Sequence, residues 1–236
     1  MKNNQGNKGR KFAVSKTKPL SDSDVKKSQV QLDNAITQAI NVYQQGQVKE
    51  AFALIEQAMV QFPDQIKLLE IAGTFAMVMN NHSLSVSFFK KYVVLDQTSA
   101  VVYYNLAMCL NELAQLDEAA SAYRQALIIK PDFIDALYNL ANLLHEQQRY
   151  QASQQCYQDV LILDPLHLNA TINQGNAFQQ MRCFKEAEES FLQAIKLQPN
   201  EATAYNNLGN LLFKLKRFSE AETCFLNALN RRQNYA

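Results

Sequence analysis

The chain has 236 residues, 47% hydrophobic and 19% charged, with a formal net charge of +1. Six Gly and five Pro are too few for the turns of an all-β protein, or for a collagen-like or linker-rich chain. No apolar run approaches the roughly 18–20 residues that a membrane-spanning helix needs, so no span is expected.

The near-neutral total conceals a division. Residues 1–31 carry eight Lys/Arg against two Asp, a net of +6, and the remaining 205 residues carry 15 basic and 20 acidic side chains, a net of −5. The N-terminal stretch is polar, lacks the apolar core of a secretory signal and contains no cysteine for lipidation. Its composition predicts a basic, largely disordered tail to about residue 22, running into the first helix before residue 32. A solvated leader is the expected role. The alternative is an electrostatic contact with nucleic acid or anionic lipid, for which a lone aromatic, Phe12, offers little stacking.

Beyond the tail, prolines stand at 63, 131, 165 and 199, at separations of 68, 34 and 34. A period of 34 divides the chain, without insertion or deletion, into 32–65, 66–99, 100–133, 134–167, 168–201 and 202–235. Other columns test that frame independently. Position 8 is always small (Ala39, Gly73, Ala107, Ala141, Gly175, Gly209), as is position 20 (Ala51, Ser85, Ala119, Ser153, Ala187, Ala221). Position 24 is always large: Ile55, Phe89, Tyr123, Tyr157, Phe191, Phe225.

Apolar residues recur at helical spacing on both sides of a break near positions 14–16, so each unit reads as helix–turn–helix. Small residues at 8 and 20 let two helix backbones approach closely, and the large residue at 24 fills the space beside them. Proline at position 32 ends the second helix. One unit cannot bury its apolar face, whereas six stacked units share a continuous core. The fold class is therefore all-α: a solenoid of six tandem helix pairs. Segment 66–99 departs most, with Tyr92 where a small residue fits and no terminal proline, and local fraying or altered packing is expected there.

The period, these columns and motifs such as YNNLGN (205–210) resemble the tetratricopeptide repeat family over 32–235. The resemblance implies a superhelix whose first helices line a concave groove, with positions 2, 5, 6, 9, 12 and 13 facing a ligand. At position 6 stand Asn105, Asn139, Asn173 and Asn207, and at position 9 stand Asn142, Asn176 and Asn210. Each amide offers a donor and an acceptor, which suits the backbone of an extended peptide bound largely independently of its side chains. The position-6 column is similar to the ladder in the repeat arm of O-linked N-acetylglucosamine transferases, including bacterial SPINDLY-like proteins. The competing reading is that these asparagines are generic to the family and merely solvated. Tyr104 and Tyr138 form either an aromatic subsite or packing against a neighbouring helix. The Lys/Arg clamp by which some family members grip a terminal carboxylate is missing, with Lys67 alone at position 2.

No catalytic constellation is legible. His82, His145 and His167 fall at repeat positions 17, 12 and 34 and do not converge. No two of Cys109, Cys156, Cys183 and Cys224 form a CxxC pair, and reduced thiols in a cytoplasmic protein are expected. Glycines after the tail fall in columns 8 and 15, leaving no phosphate-binding loop. The acidic array does not suit nucleic acid. Neither a cofactor nor a metal is expected. The last unit lacks a polar capping helix, so Phe225, Ala228 and Leu229 are expected to expose an apolar face, either for self-association or because the sequence is cut from a longer one. Two functions remain open: a non-catalytic protein-interaction scaffold binding a peptide in its groove, or the substrate-recruiting arm of a larger glycosyltransferase, sulfotransferase or methyltransferase.

Overall fold

A computed structural model describes residues 22–63 and 65–233, and the expected disorder up to residue 22 lies outside this range. The described residues form twelve helices and no strand. In chain order they pair as α1 (Asp22–Gln44) with α2 (Val48–Gln61), α3 (Ile66–Val78) with α4 (His82–Leu95), and α5 (Ala100–Glu112) with α6 (Leu116–Ile129). The second half continues with α7 (Ile134–Glu146) and α8 (Tyr150–Leu163), α9 (Leu168–Gln180) and α10 (Phe184–Leu197), then α11 (Ala202–Lys214) and α12 (Phe218–Gln233). Every break inside a unit falls at repeat positions 14–16, where the periodicity places it. Helix α1 starts ten residues ahead of the repeat frame, so 22–31 belong to a helix.

The turn inside each unit demands one left-handed residue. Position 15 has positive φ in all six copies: Gly46 at 83°, then Asn80, Ala114, Gln148, Arg182 and Lys216 at 55–62°. Glycine takes this conformation freely, whereas other residues pay roughly 1–2 kcal/mol. The N–H of the left-handed residue then bonds a carbonyl three residues back, as Ala114 does to Asn111 at 2.9 Å.

The core follows columns 8, 20 and 24. Ala51, Ser85, Ala119, Ser153 and Ala187 are fully buried against position 8 of the same unit. The two serines satisfy their hydroxyls by donating to position-8 carbonyls, Ser85 to Gly73 at 2.7 Å and Ser153 to Ala141 at 2.8 Å. Columns 8 and 24 are matched in size. Glycine at 8 occurs with Phe at 24, and a Cβ added to Gly73, Gly175 or Gly209 would sit 2.5, 2.6 or 2.7 Å from the Phe89, Phe191 or Phe225 ring. Where position 8 is Ala, position 24 is Ile or Tyr.

Segment 66–99 keeps full-length helices, α4 running 14 residues like α2, α6, α8 and α10. Its altered packing centres on Tyr92, which is buried and donates to Asp96 at 3.2 Å. Asp96 also accepts from the Thr98 backbone N–H at 2.8 Å and its hydroxyl at 2.7 Å, a side-chain-stabilised turn where the first, third, fourth and fifth units have proline. These Thr98 hydrogen bonds hold the Asp96 carboxyl below its usual range.

At the far end, the expected exposure needs one correction. Leu229 is exposed and Phe225 half-buried, but Ala228 is buried, because position 27 faces α11 within the unit rather than a following repeat. Phe213, Phe218, Leu226 and Leu229 instead frame an apolar cavity of about 270 Å³. Arg231 folds back over this last unit. Its guanidinium lies 4.1 Å from the Tyr205 ring centre and donates to the Tyr205 hydroxyl at 3.0 Å and the Pro199 carbonyl at 2.6 Å.

Candidate functional site

The odd-numbered helices touch across units (α3 with α5, α7 with α9, α9 with α11), which puts them on the inner side of the stack. The asparagine columns lie on these inner helices, as the spacing predicts. Their amides are bonded to one another from repeat to repeat. Asn173 Nδ2 donates to Asn142 Oδ1 at 3.1 Å, and Asn207 Nδ2 to Asn176 Oδ1 at 3.1 Å, so a position-6 amide reaches position 9 of the preceding unit. Asn139 Nδ2 donates to the Tyr104 hydroxyl at 3.1 Å, and Asn173 Nδ2 to the Tyr138 hydroxyl at 3.2 Å, joining position 6 to position 5 of the preceding unit.

The ladder is thus a stitch between repeats. Among the described residues, its unshared groups are the carbonyl oxygens of Asn139, Asn173 and Asn207 and the amide nitrogens of Asn142 and Asn176. Asn105 and Asn210 make no side-chain hydrogen bond among the described residues, and Asn210 is exposed.

Tyr104 and Tyr138 are half-buried and pack against the turn leading into the next unit. The Tyr104 ring lies 4.9 Å from Phe133 and 6.0 Å from Tyr123, and the Tyr138 ring 5.0 Å from His167 and 6.1 Å from Tyr157. Burial, with Asp135 nearby, pushes the Tyr104 phenol above its ordinary range.

Two neighbouring cavities of about 230 Å³ each open on this inner face. The first is lined by Met108, Asn111, Glu112, Tyr123, Asn139, Asn142, Leu143 and Glu146. The second is lined by Asn142, His145, Glu146, Tyr157, Asn173 and Asn176, corresponding positions one repeat further on. The walls therefore recur at 34-residue spacing as Asn111 and His145, Glu112 and Glu146, Tyr123 and Tyr157, Asn139 and Asn173.

Tyr157 donates to Asn142 Oδ1 at 2.6 Å, and burial raises the Tyr123 and Tyr157 phenols far above their usual range. Burial also lowers the His145 pKa, an effect that the adjacent Glu146 partly offsets, so the ring is neutral near pH 7. Asn111 Oδ1 and His145 Nε2 are buried without a hydrogen-bond partner among the described residues.

Sequence reasoning treated column 24 as volume alone and so missed the phenols of Tyr123 and Tyr157. The available signal was the pairing of Tyr with Ala, and of Phe with Gly, in columns 24 and 8. The histidines and cysteines gather into no site: among the described residues no group of three or more His, Cys, Asp or Glu could hold a metal ion. All four cysteines are free thiols, with Cys156 pushed up to about 11 by burial. Nor is any described helix long and apolar enough to cross a membrane.

Comparison with known proteins agrees with this architecture. Tetratricopeptide repeat profiles match residues 88–120, 134–167 and 172–236, and a TPR repeat profile matches 110–148. No curated protein sequence matches the chain. Among solved structures, a tetratricopeptide repeat protein from Parabacteroides merdae ATCC 43184 superposes with a TM-score of 0.72 at 18% identity, covering 85% of this chain and 79% of that one. The MamA protein superposes with a TM-score of 0.69 at 20% identity over 72% of this chain and 93% of that one. YrrB, described as a TPR protein with an unusual peptide-binding site, gives a TM-score of 0.67 at 17% identity over 76% and 92%.

At these identities the likeness establishes the fold. Nothing in it ties the chain to the O-linked N-acetylglucosamine transferases that the asparagine column resembles. The matched profiles extend over more than half of the sequence, and the helix pairs keep the 34-residue frame throughout the described residues. This chain is a tetratricopeptide-repeat protein of the all-α solenoid class.

Proposed function

We propose that the inner groove of the third to sixth repeats holds an extended segment of a protein partner, so that the chain serves as a non-catalytic scaffold. One observation carries this reading. After the repeats have been stitched together, the ladder still has carbonyl acceptors on Asn139, Asn173 and Asn207 alternating with amide donors on Asn142 and Asn176. Such an alternation complements the N–H and C=O groups of a peptide backbone. The solved structure of YrrB, of the same fold, is described as having a peptide-binding site, which supports the assignment.

The free thiols accord with a reducing, cytoplasmic setting. Self-association through the apolar cavity beside α12 is a separate proposal, resting on exposed Phe213, Phe218, Leu226 and Leu229. It predicts that Leu226→Glu abolishes any concentration-dependent mass increase in light scattering, and a wild-type monomer at all concentrations would refute it. The role of recruiting arm for a larger transferase rests on the position-6 asparagines alone.

The groove is tested by panning a random peptide library on the whole chain and then on a variant carrying Asn105→Ala and Asn210→Ala. These two side chains stitch no repeats, so the variant should keep its helical content and midpoint of unfolding while losing about threefold or more in affinity for selected peptides. Unchanged affinity would reject the groove as the binding surface.

A further inference from the structure

The two inner cavities differ from the rest of the groove in charge, and that difference specifies a ligand. Resting on the groove reading above, we infer that the bound segment carries two basic side chains, one for each cavity, separated by three residues.

At about 230 Å³, each cavity is smaller than the roughly 300–1,000 Å³ of a small-molecule pocket and suits one side chain. Glu112 lines the first and Glu146 both; the two carboxylates are exposed and enter no ion pair among the described residues. No Lys or Arg lines either cavity. Across the groove positions of the third to fifth repeats, the charged residues are Glu112, Asp135 and Glu146, all acidic.

Each cavity is also lined by an almost wholly buried tyrosine, Tyr123 or Tyr157, and by an asparagine of the position-6 column, Asn139 or Asn173. Ammonium and guanidinium groups donate hydrogen bonds and accept none, so they answer the carboxylate together with the Asn139 or Asn173 carbonyl oxygen of the lining. An acidic ligand side chain would be repelled by the glutamate, and an apolar one would leave every one of these groups unmet.

The spacing follows from the stack. Helices α7 and α9 are in direct contact, and packed helices lie about 8–10 Å apart, so successive cavities do too. A β-strand places residues i and i+3 on opposite faces, whereas a polyproline II segment returns to the same face every third residue after about 9.3 Å. The pattern is therefore basic-x-x-basic on a polyproline II backbone.

The test uses the whole chain with an oriented random decapeptide library in which one position is fixed as Lys. Lys or Arg should be enriched three residues away and not at one or two. Fluorescein-labelled Pro-rich decapeptides with Lys at positions 4 and 7, Lys at 4 and 6, or Glu at 4 and 7 then serve as anisotropy probes. The first should bind most tightly and weaken as salt rises. Glu112→Gln and Glu146→Gln, both exposed and expected to fold, should each cost about threefold to tenfold, and together flatten the salt dependence.

Enrichment of peptides without basic residues, lost in the Asn105→Ala/Asn210→Ala variant, would overturn the two-cavity inference and leave the groove reading standing. The same holds if the Glu probe binds as well as the Lys probe. A library that enriches nothing would remove both.

Discussion

The matching of columns 8 and 24 makes a quantitative prediction at Gly175. A Cβ there would lie 2.6 Å from Phe191 Cε1 and 2.9 Å from Cδ1, where carbon atoms prefer about 3.5–4.0 Å. The Phe191 ring is fully buried, so it must shift by roughly 1 Å against its own neighbours or part α9 from α10. Overpacking of this kind costs about 2–3 kcal/mol, and the better helix propensity of Ala returns about 1, so Gly175→Ala should lose about 1–2 kcal/mol. Phe191→Tyr alone should also destabilise, by about 1 kcal/mol, because a ring seated over Gly175 holds the new hydroxyl out of register with Asn176 and leaves it without a partner.

The double variant should be more stable than those two losses added together. Ala141 with Tyr157 already occurs one repeat earlier, the phenol bonding Asn142 at 2.6 Å, and Asn176 occupies the equivalent place beside Phe191. Urea unfolding by circular dichroism gives the energies. Hydrogen exchange of α9 and α10 amides localises them, because stacked repeats open in parts. A coupling energy of at least about 1 kcal/mol is expected. A Gly175→Ala protein as stable as wild type, or losses that simply add, would refute the size-matching argument.

Ala114→Gly should stabilise by about 0.5–1 kcal/mol in thermal or urea unfolding, since the exposed Ala114 has φ 55° and glycine relieves that strain at a smaller entropic cost; a loss of stability would contradict it. His145 is held neutral by burial, with its pKa below the value near 6.5 of the unfolded chain. The unfolded state therefore binds the proton more readily, and this contribution to stability, complete above pH 6.5, is lost as pH falls through the folded pKa. Wild type should accordingly lose more stability than His145→Gln between pH 7 and pH 5, and parallel losses would exclude the effect. Cys156, raised to about 11, should be alkylated by iodoacetamide at pH 8 at least about 100-fold more slowly than a free thiol, as read by peptide mass mapping. Rapid labelling of Cys156 in the folded chain would count against its burial.

The fold was legible because a 34-residue period repeats the same physical demands six times. Gly46 marks the left-handed turn in one copy, and the period carries that turn to Asn80, Ala114, Gln148, Arg182 and Lys216, none of which announces it alone. Composition ended the tail near residue 22 and ran it into a helix before residue 32, but the mostly polar side chains of 22–31 offer no apolar stripe to fix the start of α1, which the structure places at Asp22. Of the groove, the positions of the asparagines followed from the period but their partners did not. Offsets of 31 and 35 residues acquire meaning only when stacking sets position 6 beside positions 9 and 5 of the unit before. Ala228 was misassigned because a helical column does not reveal which of two neighbours it faces, and here α11 covers it.

The alternation of Ala/Tyr with Gly/Phe pairs also breaks the translational symmetry of the array. Tyr123 and Tyr157 bring a hydroxyl to the inner face in the third and fourth repeats, while Phe89, Phe191 and Phe225 bring none in the second, fifth and sixth. A perfectly periodic groove would let a periodic ligand slide by one unit at no cost in energy. Here a one-unit slip exchanges a phenol for a bare ring at the boundary, so the solenoid carries an origin, and a bound chain has one preferred register along it.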